Sequence, residues 1–246
     1  MKKFSLYLLV ALMALSPFLQ SCDDDDSYSL NNFMVRMATV QKNDGAIYPY
    51  FVLDNGKTVW ITASAVYYEN LPAGQRVIVN LTLLADEKEG FDYYARLNSY
   101  TSVLTKNVIN LTEDNVDSIG NSKTTITDMW VGADYLNVEF WMVNPSKEKH
   151  LVNLVDNRMI AADNDGYAHL EFRYNNMGDE NGRQYRKIVS FDLADYGPVN
   201  KDLKGLKVKI NSIKNGEKVL TFDFKDNGGE STEPDVAKES SSENLQ

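Results

Sequence analysis

Few residues in this chain have the type and spacing that catalysis requires. There is one cysteine, Cys22, and there are two histidines, His150 and His169. His169-Leu170-Glu171 has the H-x-E spacing of zinc deaminases, but the Cys-x-x-Cys pair that completes that zinc site is absent. An alternating strand with His169 and Glu171 facing water is the expectation, and His150, after Lys147-Glu148-Lys149, is expected at the surface. Asp163-Asn164-Asp165-Gly166 resembles part of a calcium loop. With Gly166 at the sixth position, however, Ala161 and Phe172 stand where carboxylates are required, so a hairpin turn is expected. There is no Gly-x-Ser-x-Gly elbow, phosphate-cradling glycine loop or dinucleotide fingerprint. No catalytic residue, cofactor or metal site is read, and a hydrolase with unrecognised carboxylates is kept as an alternative.

The remaining candidate is a binding constellation: Tyr48, Tyr50 and Trp60, with Arg36, Tyr94 and Arg96. Aromatic planes suit sugar faces or peptide side chains, and arginines orient polar groups. Either these residues meet a ligand, or they pack against a second domain or a neighbouring loop.

The elements that position them read as β-structure. Asp44-Gly45, Asn55-Gly56, Asp165-Gly166, Asn181-Gly182 and Asn215-Gly216 are hairpin-turn signals between Val/Ile/Tyr/Phe/Thr-rich runs of period two. Strands are expected near Phe33–Gln41, Ile47–Leu53, Lys57–Thr62, Arg76–Leu84 and Asp92–Leu104. One parity gathers Val35, Met37, Phe51, Leu53, Val59, Ile61, Val77, Val79, Leu81, Leu83, Ala95 and Leu97. The other gathers the binding constellation, the division expected of a five-stranded barrel, whose outer face in OB-type folds binds oligosaccharides or oligonucleotides. Seven more strands, from Thr124–Val131 to Lys218–Phe224, suggest a two-sheet, Ig-like β-sandwich. The chain is thus read as all-β, with a barrel over 28–106, a connector over 107–123 holding a short helix from Thr112 to Ile119, and a sandwich over 124–224.

The 246 residues carry a net charge of −10, from 35 acidic and 25 basic side chains, which argues against nucleic acid as a partner. Much of the acidity lies at the two ends, in Asp23–Asp26 and in a Ser/Glu-rich segment, 225–246, that holds six acids and two lysines and is expected to be disordered. Lys2 and Lys3 precede an uncharged run, Phe4–Leu15, too short to span a bilayer. The following Leu19-Gln20-Ser21-Cys22 resembles the lipobox of bacterial lipoproteins. That resemblance implies a signal peptide over 1–21, acyl chains such as palmitate on Cys22, and an outer-membrane location. The acidic tether over 22–27 resembles the surface-export signal of Bacteroidetes lipoproteins. Asp117-Ser118-Ile119 is similar to an O-glycosylation sequon of the same bacteria, with Ser118 as acceptor; a helix end is the other reading.

Finally, FMVRMATV at 33–40, YFVLDNGKTVW at 50–60, GQRV at 74–77, DMWVG at 128–132 and DYLNVEF at 134–140 together resemble the NigD-like lipoproteins. The resemblance covers nearly all of the chain after Cys22. It implies an N-terminal OB-type domain, a C-terminal β-sandwich and a bacteriocin-immunity association, and it brings no catalytic residues. The function expected is that of a non-enzymatic, lipid-anchored surface protein binding a glycan, a peptide toxin or an envelope protein. A structural or assembly subunit of an envelope complex is the alternative.

Overall fold

The structure is a computed structural model that describes residues 33–85, 90–161 and 163–224. The expected signal peptide over 1–21, Cys22, the Asp23–Asp26 run and the segment 225–246 lie outside the described residues. Strands β1 (Phe33–Gln41), β2 (Tyr50–Leu53), β3 (Thr58–Ser64), β4 (Arg76–Ala85) and β5 (Tyr93–Ser102) close into a barrel in the order β1-β2-β3-β5-β4. Its core is Ala38, Val40, Phe51, Val59, Val77, Val79, Leu81, Ala95 and Leu97, all without solvent exposure. The β2–β3 turn needs its glycine: Gly56 adopts φ +82°, and its N–H donates to Leu53 O at 2.8 Å.

The expected parity holds on β2 to β5 and fails on β1. Ala38 and Val40 point inward, opposite Val77 and Phe51, whereas Val35 is 51% exposed. Apolar residues occupy both parities of FMVRMATVQ, so the pattern alone does not decide its face, and a one-residue choice turns every side chain over.

The chain leaves β5 without a linker. Val103 is buried, its N–H donating to Arg76 O at 2.9 Å. Residues 104–111 then divide between two sheets as β6 (Leu104–Asn107) and β7 (Ile109–Leu111), followed by the single-turn helix α1 (Val116–Ile119). The remaining strands are β8 (Ile126–Gly132), β9 (Tyr135–Val143), β10 (Leu151–Asn157), β11 (Tyr167–Asn175), β12 (Gln184–Asp192), β13 (Gly205–Ser212) and β14 (Gly216–Asp223). One sheet runs β14-β13-β11-β10-β7 and the other β6-β12-β9-β8. Beyond the seven sandwich strands expected, β6 and β7 add an edge to each sheet by parallel pairing with β12 and β10. Between the sheets lie Met129, Leu136, Val138, Phe140, Leu154, Phe172, Phe191 and Val208.

Barrel and sandwich are locked by Arg76, the first residue of β4, which is fully buried. Its guanidinium forms a fork on Asp54, at 2.5 Å (Nη1 to Oδ1) and 2.9 Å (Nη2 to Oδ2). It also donates to Thr39 Oγ1 at 3.0 Å and, across the junction, to Asn137 Oδ1 at 3.2 Å. Asn137 Nδ2 returns a bond to Asp54 Oδ2, Ser190 Oγ donates to Asn137 Oδ1, and the Tyr135 ring lies 4.3 Å from the guanidinium carbon. Asp54 O also accepts from Ala133 N, and a Cβ on Gly132 would collide with the Asp54 carboxylate. A charge this deep persists only with such a partner set.

Candidate functional site

Three of the expected binding residues converge on a residue the sequence reading missed. Tyr50 on β2, Trp60 on β3 and Tyr94 on β5 surround Phe91, with ring centroids 5.3, 5.2 and 6.2 Å away. Phe91 comes from the β4–β5 connection, so a neighbouring loop caps these rings. The anchor of that loop is Asp92. Its carboxylate accepts from Thr58 N and Thr58 Oγ1, both at 2.8 Å, and from Lys57 Nζ at 2.9 Å. The Thr58 backbone N–H first, then Lys57, holds the Asp92 carboxyl down to about 2.

The sign of the resulting pH effect follows from linkage. The folded value lies below the unfolded one of about 3.9, so this stabilisation is full above that value and is lost as pH falls through about 2. Melting curves from pH 5 to pH 2 are expected to show a smaller fall in Tm for Asp92→Asn than for the parent chain. Equal falls would remove Asp92 from the account.

Tyr48 precedes β2 and leans on Tyr68, with centroids 6.2 Å apart. Between them and Trp60 runs an open groove of about 730 Å³, bordered by Tyr67 and Glu69. Tyr67 is 63% exposed and Tyr48 44%. The Tyr67-Tyr68 doublet was visible in the sequence but lies in an irregular segment, where strand parity gives it no face. Arg96 is exposed on the outer side of β5, on the parity of Tyr94. Arg36 differs from expectation: its register partner is the inward-facing Val79, which places it on the other parity from the aromatic set, exposed near the start of β1. Ser118 is exposed at the end of α1, where its Oγ donates to Asn115 O.

Two expectations of surface residues are corrected. His150 is a buried side chain, 1% exposed. Asp179 Oδ2 lies 3.0 Å from its Nε2 and Tyr174 Oη 2.6 Å from its Nδ1. A carboxylate only accepts, so Nε2 carries a proton toward Asp179, and Nδ1 and the tyrosine hydroxyl share the second hydrogen bond. Burial pushes Tyr174 up to about 12, while Ser146, through its side chain and backbone N–H, holds Asp179 down to about 2. The loop carrying Asp179 folds back over the histidine, a tertiary contact that the charged run before His150 does not foretell. Glu171 is also buried, accepting from Asn157 Nδ2 and Arg173 Nε at 2.8 Å each. β11 is the central strand of its sheet, so its outer face is covered by neighbours. His169 is half-buried beside Asp165, whose carboxylate also takes Lys207 Nζ at 2.6 Å. Among the described residues no group of three or more His, Cys, Asp or Glu side chains is arranged to hold a metal ion.

A closed five-stranded barrel fused through a buried arginine to a two-sheet sandwich defines a two-module all-β protein. Residues 37–103 match the NigD-like N-terminal OB domain, and residues 107–224 match the NigD-like C-terminal beta sandwich domain. The chain belongs to the NigD-like family. A protein of unknown function from Bacteroides vulgatus is 44% identical, with a TM-score of 0.76 over 84% of this chain and 99% of that one. A protein from Parabacteroides distasonis, provisionally named toxin-related, is 28% identical, with a TM-score of 0.66 over 78% of this chain and 93% of that one. A NigD-like immunity protein from Bacteroides caccae shares the fold at 20% identity, with a TM-score of 0.56 over 79% of this chain and 94% of that one. The search of curated proteins finds no match.

Proposed function

We propose that this chain is a non-enzymatic binding protein, held at the bacterial envelope by lipid on Cys22, that captures a peptide toxin or an envelope partner through the aromatic groove of its barrel. The observation that carries this reading is the groove itself. Tyr48, Trp60, Tyr67 and Tyr68 line one open channel, and Tyr48 and Tyr67 stand well exposed in it. Exposed aromatic clusters of this kind serve as anchors for partners. The immunity and toxin-related names of two relatives support a toxin as the partner class. The lipobox-like run ending at Cys22 and the acidic run after it support the envelope location and surface exposure.

The decisive experiment challenges a deletion strain with bacteriocins from neighbouring strains. Sensitivity restored to resistance by the parent gene, but not by Trp60→Ala, is the expected result; unchanged survival of the deletion strain overturns the toxin reading. In binding assays Trp60→Ala is expected to weaken a captured partner about tenfold or more. Fatty-acid labelling that marks the parent chain and Cys22→Ala equally would refute the anchor.

A further inference from the structure

The sandwich is not filled to its end. β6 pairs with β12 only from Val189 to Asp192, so Gln184–Ile188 have no strand on that side. Register places Tyr185 opposite Met142 and Lys187 opposite Phe140, the same side as the core residues Val189 and Phe191. Lys187 therefore stands on the core-facing parity of β12, yet it is exposed. Facing it on the other sheet are Val152 and Tyr174, a register pair whose tyrosine hydroxyl is fixed by His150. The space between the two sheets here is a cleft of about 690 Å³, and its mouth is bordered by Ile78, Thr101 and Ser102 of the barrel. Leu104 and Leu151 at this cleft are 56% and 38% exposed. Its rim carries three cations, Lys149, Arg186 and Lys187, against one carboxylate, Glu139, which is paired with Arg186 at 3.3 Å. Among the described residues neither Lys149 nor Lys187 has an ion pair. The Lys187 ammonium lies over the Tyr185 ring, 5.5 Å from its centroid.

We propose that this open end of the sandwich binds a single-chain anionic amphiphile, with the acyl chain between the sheets and the anionic head at Lys187 and Lys149. The charge pattern selects the occupant. An apolar slot rimmed by two cations that have no ion pair among the described residues complements an apolar chain ending in an anion, and it disfavours both a cationic amphiphile and a neutral glycan. A lysine on an inward-facing position of a strand edge also blocks pairing with other strands, and a lysine with that role alone would leave amphiphile binding unchanged when replaced.

The test is calorimetric titration of the full chain with dodecanoate below its micellar concentration, alongside dodecyltrimethylammonium and butyrate. One saturable dodecanoate site is expected, with the cationic amphiphile at least tenfold weaker and butyrate without measurable binding. Lys187→Glu is expected to weaken dodecanoate at least tenfold and to remove the preference for the anion. Leu104→Asp, at an exposed position, is expected to weaken it similarly while circular dichroism shows the fold kept. Trp60→Ala is expected to bind dodecanoate as the parent does, which separates this site from the barrel groove. No saturable dodecanoate binding, or equal binding by Lys187→Glu, overturns the proposal.

Discussion

Replacing Arg76 by alanine is expected to cost about 3–5 kcal/mol of folding stability, the usual loss when one member of a buried ion pair is removed. For a protein of this size that corresponds to a fall in Tm of roughly 6–20 °C. The cause is what remains: the Asp54 carboxyl group is left against Gly132 without its fork partner, with Asn137 as its principal side-chain donor. Arg76→Lys is expected to rescue little, because an ammonium cannot reproduce the two-pronged fork on Asp54 together with the bonds to Thr39 and Asn137. Arg76→Met combined with Asp54→Leu removes both charges and is expected to be closer to the parent than either single change. Because the network crosses from barrel to sandwich, calorimetry is expected to show one transition for the parent and two for Arg76→Ala. A loss below about 1 kcal/mol would mean that the junction rests on packing and that the ion pair is incidental.

This junction also explains what the sequence could and could not reveal. The five runs that carry the family resemblance contain Thr39, Asp54, Arg76, Gly132 and Asn137, residues that fuse the two modules. The motifs were legible as a pattern, but their purpose was not, since strand parity says which face a residue takes and nothing about a partner 61 positions away. The same limit accounts for Phe91, which lies outside the period-two runs yet covers Tyr50, Trp60 and Tyr94. Parity worked where one face of a strand was apolar and the other polar, as on β4 and β9, and failed on β1, where it was not. It placed Glu171 in water because it assumes that the outer face of a sheet is wet; in the middle of a five-stranded sheet neighbouring side chains replace the water. The aromatic constellation was thus legible in part. Tyr50, Trp60 and Tyr94 do cluster and Tyr48 borders the same groove as Trp60, but Arg36 takes the other parity, and the groove's most exposed ring, Tyr67, stood in a segment without a period.

Phe140→Ala is expected to have the second large effect, a destabilisation of about 3–5 kcal/mol. Phe140 is 2% exposed and packs edge-on against Phe172 and Tyr174, with centroids 5.4 and 5.7 Å away, so its ring joins β9 to the opposite sheet. Truncation removes those contacts and leaves an apolar hollow in the core. The void would open into the cleft at the sandwich end, because Phe140 forms part of the cleft wall. Stability and ligand binding are therefore coupled at this residue. If dodecanoate occupies the cleft, saturating the variant at about 100 times its Kd restores about 2.7 kcal/mol, since a ligand that binds only the folded state raises its stability by mass action. Denaturant titrations of Phe140→Ala with and without dodecanoate measure both quantities. A loss under about 1.5 kcal/mol would show that the two sheets do not depend on this ring for their contact, and a midpoint unmoved by dodecanoate would separate the void from any acyl-binding site.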